Sequence, residues 1–204
     1  LESEEIAGVY DAVNTISELR QSGNLVELSV GRRVIVIGGG STAIDIAVQS
    51  KKLGAEDVTL AYRRGPEQMS ATWKEQEFAQ TNGVRVKNWL APKSLQSENG
   101  HVSGIEFECT SLNPQGKLSA TGELRNMEAD VVFKAIGQKL VNSLDSASEM
   151  PETEGGKIAV NAEYETSLAG VWAGGDCIRS GDDLTVQAVE DGKQAAIAIH
   201  GKLT

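Results

Sequence analysis

Apolar residues along this chain fall in short runs separated by turn residues, in a strand–helix–strand rhythm. Val34–Ile37 is a run of four β-branched residues, the pattern of a strand buried on both faces. Three glycines follow, and then Ala43, Ile44, Ile46, Ala47 and Val48 recur at helical spacing. A second strand is expected at Asp57–Tyr62, a helix over 69–82 starting at Met69 or Ser70, and a third strand at Val84–Trp89. Val102–Leu112 and Lys117–Asn126 alternate on either side of Asn113-Pro114-Gln115-Gly116 and predict a hairpin. Ala129–Ala135 reads as a further buried strand. Upstream, Val9, Val13, Ile16 and Leu19 form one stripe, which predicts a helix over Gly8–Gln21 ending near Gly23. Downstream of a loop at Asn142–Gly156, short strands are expected at Lys157–Val160 and Val171–Ala173. A closing helix follows at Leu184–His200, with Val186, Val189, Ala196 and Ile197 buried. The fold class is α/β with a parallel sheet.

Composition narrows the partners. The 204 residues carry a net charge of −10 and no basic run, which gives no case for nucleic acid or an anionic membrane surface. No stretch has the length and apolarity of a membrane span, and no signal peptide opens the chain. Cys109 and Cys177 are far apart, with no histidine spacing that suggests a metal, so a cytoplasmic protein with reduced thiols is expected. His101 and His200 read as structural or exposed. The chain begins at Leu1, which suggests a piece of a longer protein.

The candidate chemistry lies where the first strand meets its helix. Gly38, Gly40 and Ala43 fill a GxGxxA pattern, with Gly39, Ser41 and Thr42 between them. Gly38 permits the sharp turn, Gly40 a close approach of the backbone to a pyrophosphate, and Ala43 close packing of helix on strand. The helix N-terminus then offers free N–H groups to the phosphates. An ordinary strand-to-helix turn is the plain alternative. The second strand ends in Arg63 and Arg64, where an NAD-selective site carries an acid and a 2′-phosphate calls for arginine. NADP(H) is favoured, with NAD(H) open because arginine also stacks on adenine. Near the C-terminus, Gly174-Gly175-Asp176 places a carboxylate past paired glycines, where a ribityl hydroxyl or a ribose could be held, although taken alone it is ordinary turn chemistry.

Together these segments resemble a known family. Residues 34–45, Tyr62-Arg63-Arg64, Met69-Ser70-Ala71 with Glu75 and Glu77, Ala135-Ile136-Gly137, and Val171–Asp176 with Gln187-Ala188-Val189 are similar to FAD-dependent NAD(P)H oxidoreductases related to the glutamate synthase small subunit and to dihydropyrimidine dehydrogenase. The run YRRGPEQMSATWKEQEFAQTNGV most resembles electron-transfer subunits of bacterial dihydropyrimidine dehydrogenases. The resemblance implies a Rossmann-like nicotinamide domain, a parallel sheet with a β-meander, followed by the C-terminal half of a Rossmann-like FAD domain. On that basis residues 1–30 lead in from a missing half of the flavin domain, 31–135 bind NAD(P)H, and 136–204 belong to the FAD-binding domain. Ala135, Ile136 and Gly137 would form the crossover. Gly175 and Asp176 would hold the ribityl–phosphate region, with Thr185 and Val186 opening the helix aimed at the flavin. The family's FAD-binding GxGxxG and its iron–sulfur cysteine motifs do not occur in this sequence. FAD is therefore expected in the full-length protein, and iron–sulfur clusters only on missing segments or a partner. The implied activity is hydride transfer from NAD(P)H to FAD and onward to a partner subunit or domain, with no catalytic side chain in this chain. A nucleotide-sensing module without redox activity is the rival. The surface meant for the missing half would be apolar, or covered by a second copy of the chain in a homodimer.

Overall fold

The structure is a computed structural model and describes residues 6–24, 30–137, 140, 149–180 and 184–204. The chain divides into two compact units, one ending at Gly137 and one made of the residues that follow.

The first unit is built on a five-stranded parallel sheet. Its strands are β1 (Val9–Asp11), β2 (Arg33–Gly38), β3 (Asp57–Tyr62), β4 (Val84–Asn88) and β8 (Val131–Ala135), in spatial order β1-β8-β2-β3-β4. Helices α1 (Ala12–Gln21), α2 (Ser41–Lys52) and α3 (Trp73–Thr81) connect them. An antiparallel sheet of β5 (Leu90–Glu98), β6 (His101–Leu112) and β7 (Leu118–Glu128) is inserted between β4 and β8.

The β-branched run of β2 is explained by this three-layer arrangement. Val34 and Val36 enter a core with α1, α2 and α3, through Ile16, Ile44, Ala47 and Ala79. Ile35 and Ile37 enter a second core with Leu90, Ile105 and Phe107 of the antiparallel sheet. Both faces of the strand are therefore buried, and alternation disappears.

Several expectations are corrected. Val9 lies in strand β1, which pairs in parallel with β8, and the helix starts at Ala12. Asp11 ends the strand by capping the helix, its carboxylate accepting from Val13 N at 3.0 Å and Asn14 N at 3.2 Å. Residues 9–21 thus pack within the first unit's sheet and core. The helix expected from Met69 starts at Trp73, because Thr72 and Glu75 form a capping box. Pro66–Gln68 is a separate 3-10 turn. Strand β5 escaped the pattern reading because it contains Pro92, which an edge strand beside a register shift tolerates.

The second unit has little regular structure. Among the described residues it contains β9 (Thr153–Glu154) paired with β10 (Lys157–Ile158), a 3-10 turn at Gly175–Cys177, and α4 (Thr185–Leu203). The strand expected to reach Val160 stops at Ile158. Val171–Ala173 makes only one bridge, Trp172 to Glu165. Part of the expected loop, 142–148, lies outside the described residues. On α4 the expected burial fails: Val186, Val189 and Ile197 are 76%, 69% and 56% exposed, and Ala196 is exposed too. Asp191 and Ala195 are buried instead. A helix buries a full stripe only against another layer, and the described part of this unit offers two-residue strands. No described helix is long and apolar enough to cross a membrane.

Candidate functional site

The glycine turn forms where β2 runs into α2. Gly38 pairs with Ala135 of β8, and a Cβ at Gly38 would stand 2.3 Å from the Ala135 carbonyl oxygen. A Cβ on Gly39 would strike the Tyr62 ring at 2.5 Å. Above Gly40 the nearest atom is only the Ser70 hydroxyl, 3.0 Å from an added Cβ. Gly40 is the N-cap of α2 and supplies no side-chain cap. The first N–H groups of α2, at Ser41 and Thr42, therefore have no intrahelical partner, while Ala43 is fully buried against the strand. The turn is braced from the far side: Ala71 N donates to Gly39 O at 3.0 Å. Burial pushes the Glu75 carboxyl up, but donors from Thr72 and Ser41 outweigh it and hold it below the ordinary range. Side chains are thus excluded at Gly38 and Gly39, and behind them an uncapped helix N-terminus could receive an anion.

Charge separates the two ends of the parallel sheet. At the strand starts, Arg32 forms a bidentate pair with Glu56 at 2.7 and 2.9 Å. Arg33 pairs with Asp130 and Glu128, and Arg85 with Asp57. Arg33 holds the Asp130 carboxyl below its usual range. At the strand ends, beside the glycine turn, the guanidiniums of Arg63 and Arg64 have no acidic partner among the described residues. Their backbone is nonetheless fixed. Thr110 Oγ1 of β6 donates to Arg63 O at 2.7 Å, and Trp89 N and Asn88 Nδ2 both donate to Arg64 O at 3.2 Å. Ligands of open α/β sheets bind at the carboxyl ends of the strands, which is where these two free cations stand. Sequence reasoning missed Trp89 and Thr110, because neither sits in a recognisable motif. Ala135 ends β8 beside Gly38, Ile136 is 66% exposed, and Gly137 takes φ +101° at the end of the unit.

In the second unit a buried carboxylate organises the glycine pair. Asp191 of α4, 1% exposed, accepts from Gly175 N at 2.9 Å, Gln187 Nε2 at 2.6 Å and Tyr164 OH at 3.2 Å. Gln187 and the Gly175 N–H hold its carboxyl low against burial, and burial and Asp191 push the Tyr164 phenol up. A Cβ on Gly174 would lie 2.9 Å from Asp191 Cβ, and one on Gly175 3.2 Å from Ala188 Cβ. The turn thus lies directly on α4. Asp176 is exposed with no partner among the described residues, and α4 begins without a side-chain cap at Leu184, leaving Thr185 and Val186 exposed. The sequence reading did not single out Asp191, which lies within the closing helix and in no recognisable motif. His101 and His200 are exposed, and Cys109 and Cys177 are free and half-buried.

Glycine turn, parallel sheet and inserted antiparallel sheet define a dinucleotide-binding α/β protein. The chain belongs to the pyridine nucleotide-disulphide oxidoreductase family, whose pattern matches residues 3–192. It is 33% identical over 223 residues to the glutamate synthase (NADPH) small chain of Escherichia coli (strain K12), across 98% of this chain and 46% of that one. It is also 33% identical over 180 residues to the NADP(+)-dependent formate dehydrogenase subunit beta of Moorella thermoacetica, across 83% and 25%. The chain spans less than half the length of these relatives. Thioredoxin reductase from T. acidophilum shares the fold, with a TM-score of 0.73 at 21% identity over 96% of this chain and 57% of that one. This sequence has no Cys-x-x-Cys pair.

Proposed function

We propose that this chain is the nicotinamide-nucleotide-binding region, with part of the flavin-binding region, of a cytoplasmic flavoprotein that oxidises NAD(P)H and passes electrons to a partner subunit or domain. The observation that carries the reading is the uncapped start of α2 behind Gly38–Gly40, with the unpaired Arg63 and Arg64 at the end of the neighbouring strand. The glycine turn receives the diphosphate and the arginine pair the 2′-phosphate, which favours NADPH over NADH. Asp176 and the start of α4, with Thr185 and Val186, serve the flavin. Ala135, Ile136 and Gly137 carry the chain from one nucleotide to the other. A bound flavin supplies the hydride acceptor. The chain's own part is to bind and orient the two nucleotides.

The run from Tyr62 to Val84 supports pyrimidine reduction as the downstream reaction, through a partner of the dihydropyrimidine dehydrogenase type. The identity to a glutamate synthase small chain supports the second reading, electron delivery to glutamate synthesis. Anaerobic titration of the natural protein with NADPH tests the central reading: the visible flavin absorbance bleaches as NADPH is oxidised. Protein that binds NADPH but contains no flavin would instead be a nucleotide-sensing module.

A further inference from the structure

The antiparallel sheet β5–β7 holds the arginine pair, and nothing in the nucleotide fold as such requires it to do so. Thr110 is one of few buried polar residues, 8% exposed. It follows a register shift between Glu108 and Thr110 in the pairing of β6 with β7, the kind of bulge that re-aims a side chain. Its hydroxyl donates to Arg63 O at 2.7 Å, and its own N–H donates to Trp89 O at 3.0 Å. Trp89 is in the left-handed region at φ +63°, a strained position for a bulky residue. That conformation lets its N–H donate to Arg64 O at 3.2 Å. Its ring covers Gly65, where a Cβ would lie 2.7 Å from ring carbon Cζ2. Both arginine carbonyls are therefore captured from one side, and the two guanidiniums have no acidic partner among the described residues of a chain of net charge −10.

We infer that Thr110 and Trp89 are positioning residues for cofactor choice: they fix the Arg63–Arg64 backbone so that the guanidiniums meet a 2′-phosphate. The inference rests on the nucleotide reading above and assigns the antiparallel sheet a share in selectivity. Thr110 touches no ligand. It acts through the arginine it holds.

Dissociation constants for NADPH and NADH, measured on the intact protein, test this. Thr110→Val keeps the side-chain shape and removes one hydrogen bond, and it is expected to weaken NADPH roughly fivefold with little change for NADH. Thr110→Ser restores the donor and the wild-type ratio. Trp89→Gly relieves the left-handed strain but uncovers Gly65, and it lowers the NADPH preference in the same direction. A folded Thr110→Val protein with the wild-type NADPH-to-NADH ratio would overturn the inference while leaving the arginine site standing. A wild-type protein with no preference between the nucleotides would overturn the 2′-phosphate reading itself, and the inference with it.

Discussion

Two glycine turns in this chain are held in place by different means. The turn at Gly38–Gly40 is held by a sheet: its strand is buried on both faces, and Gly38 abuts the backbone of β8. The turn at Gly174–Gly175 has no sheet beneath it among the described residues and is held by a single buried carboxylate, Asp191. In the first case Gly38 is forced by neighbouring backbone and Gly39 by the Tyr62 ring. In the second, one side chain sets the turn, and the exposed Val186, Val189 and Ile197 leave its helix half dressed. A turn made by a layer resists perturbation everywhere except at the glycine itself. A turn made by one carboxylate depends on that residue and on its charge.

The largest expected effect breaks the first turn. Gly38→Ala places a methyl 2.3 Å from a backbone oxygen and should cost about 3 kcal/mol of stability, seen as a lowered unfolding midpoint. Gly40→Val should leave circular dichroism native-like while nucleotide affinity is lost, because only a hydroxyl stands above that position. Next, Arg63→Ala with Arg64→Ala should weaken NADPH by about 2 kcal/mol and spare NADH. Equal loss for both nucleotides would reassign the arginines to adenine stacking.

The second turn is probed by Asp191→Ala, which leaves three donors without their acceptor. Exchange of the Gly175 amide should accelerate by roughly tenfold while the amides of the first unit keep their protection. Asp191→Asn retains an acceptor and should lie between. The smallest effect is with pH. Asp130 and Asp191 both have carboxyls held below the ordinary range, so their ionised forms favour folding. That contribution is complete above the unfolded aspartate value of about 4 and is lost as pH falls through the lower folded values. Acid should therefore loosen the Gly175 turn in the wild type, and Asp191→Asn should flatten that part of the pH profile.

The same contrast explains what the sequence made legible. The β2–α2 turn could be read because each small residue answers a local constraint and the surrounding pattern is periodic. The hairpin of β6 and β7 was legible for the same reason, through Asn113-Pro114-Gln115-Gly116. Strand β1 was hidden, because three residues give no period and Val9 fits a helical stripe equally well. The exposure of α4 was hidden too, since a helix's periodicity says which face is apolar and not whether a layer covers it. The bonds from Gly175 to Asp191, from Thr110 to Arg63 and from Trp89 to Arg64 span 16 or more residues, which no spacing rule encodes.

The central claim is that the first unit binds a dinucleotide through Gly38–Ala43 and selects it through Arg63 and Arg64. Calorimetric titration of the protein with adenosine 2′,5′-bisphosphate and with AMP tests it most directly. The account predicts saturable binding of both, with the bisphosphate tighter by at least an order of magnitude and that margin abolished in Arg63→Ala/Arg64→Ala. Equal affinity for the two, or a margin that survives loss of both arginines, would contradict it.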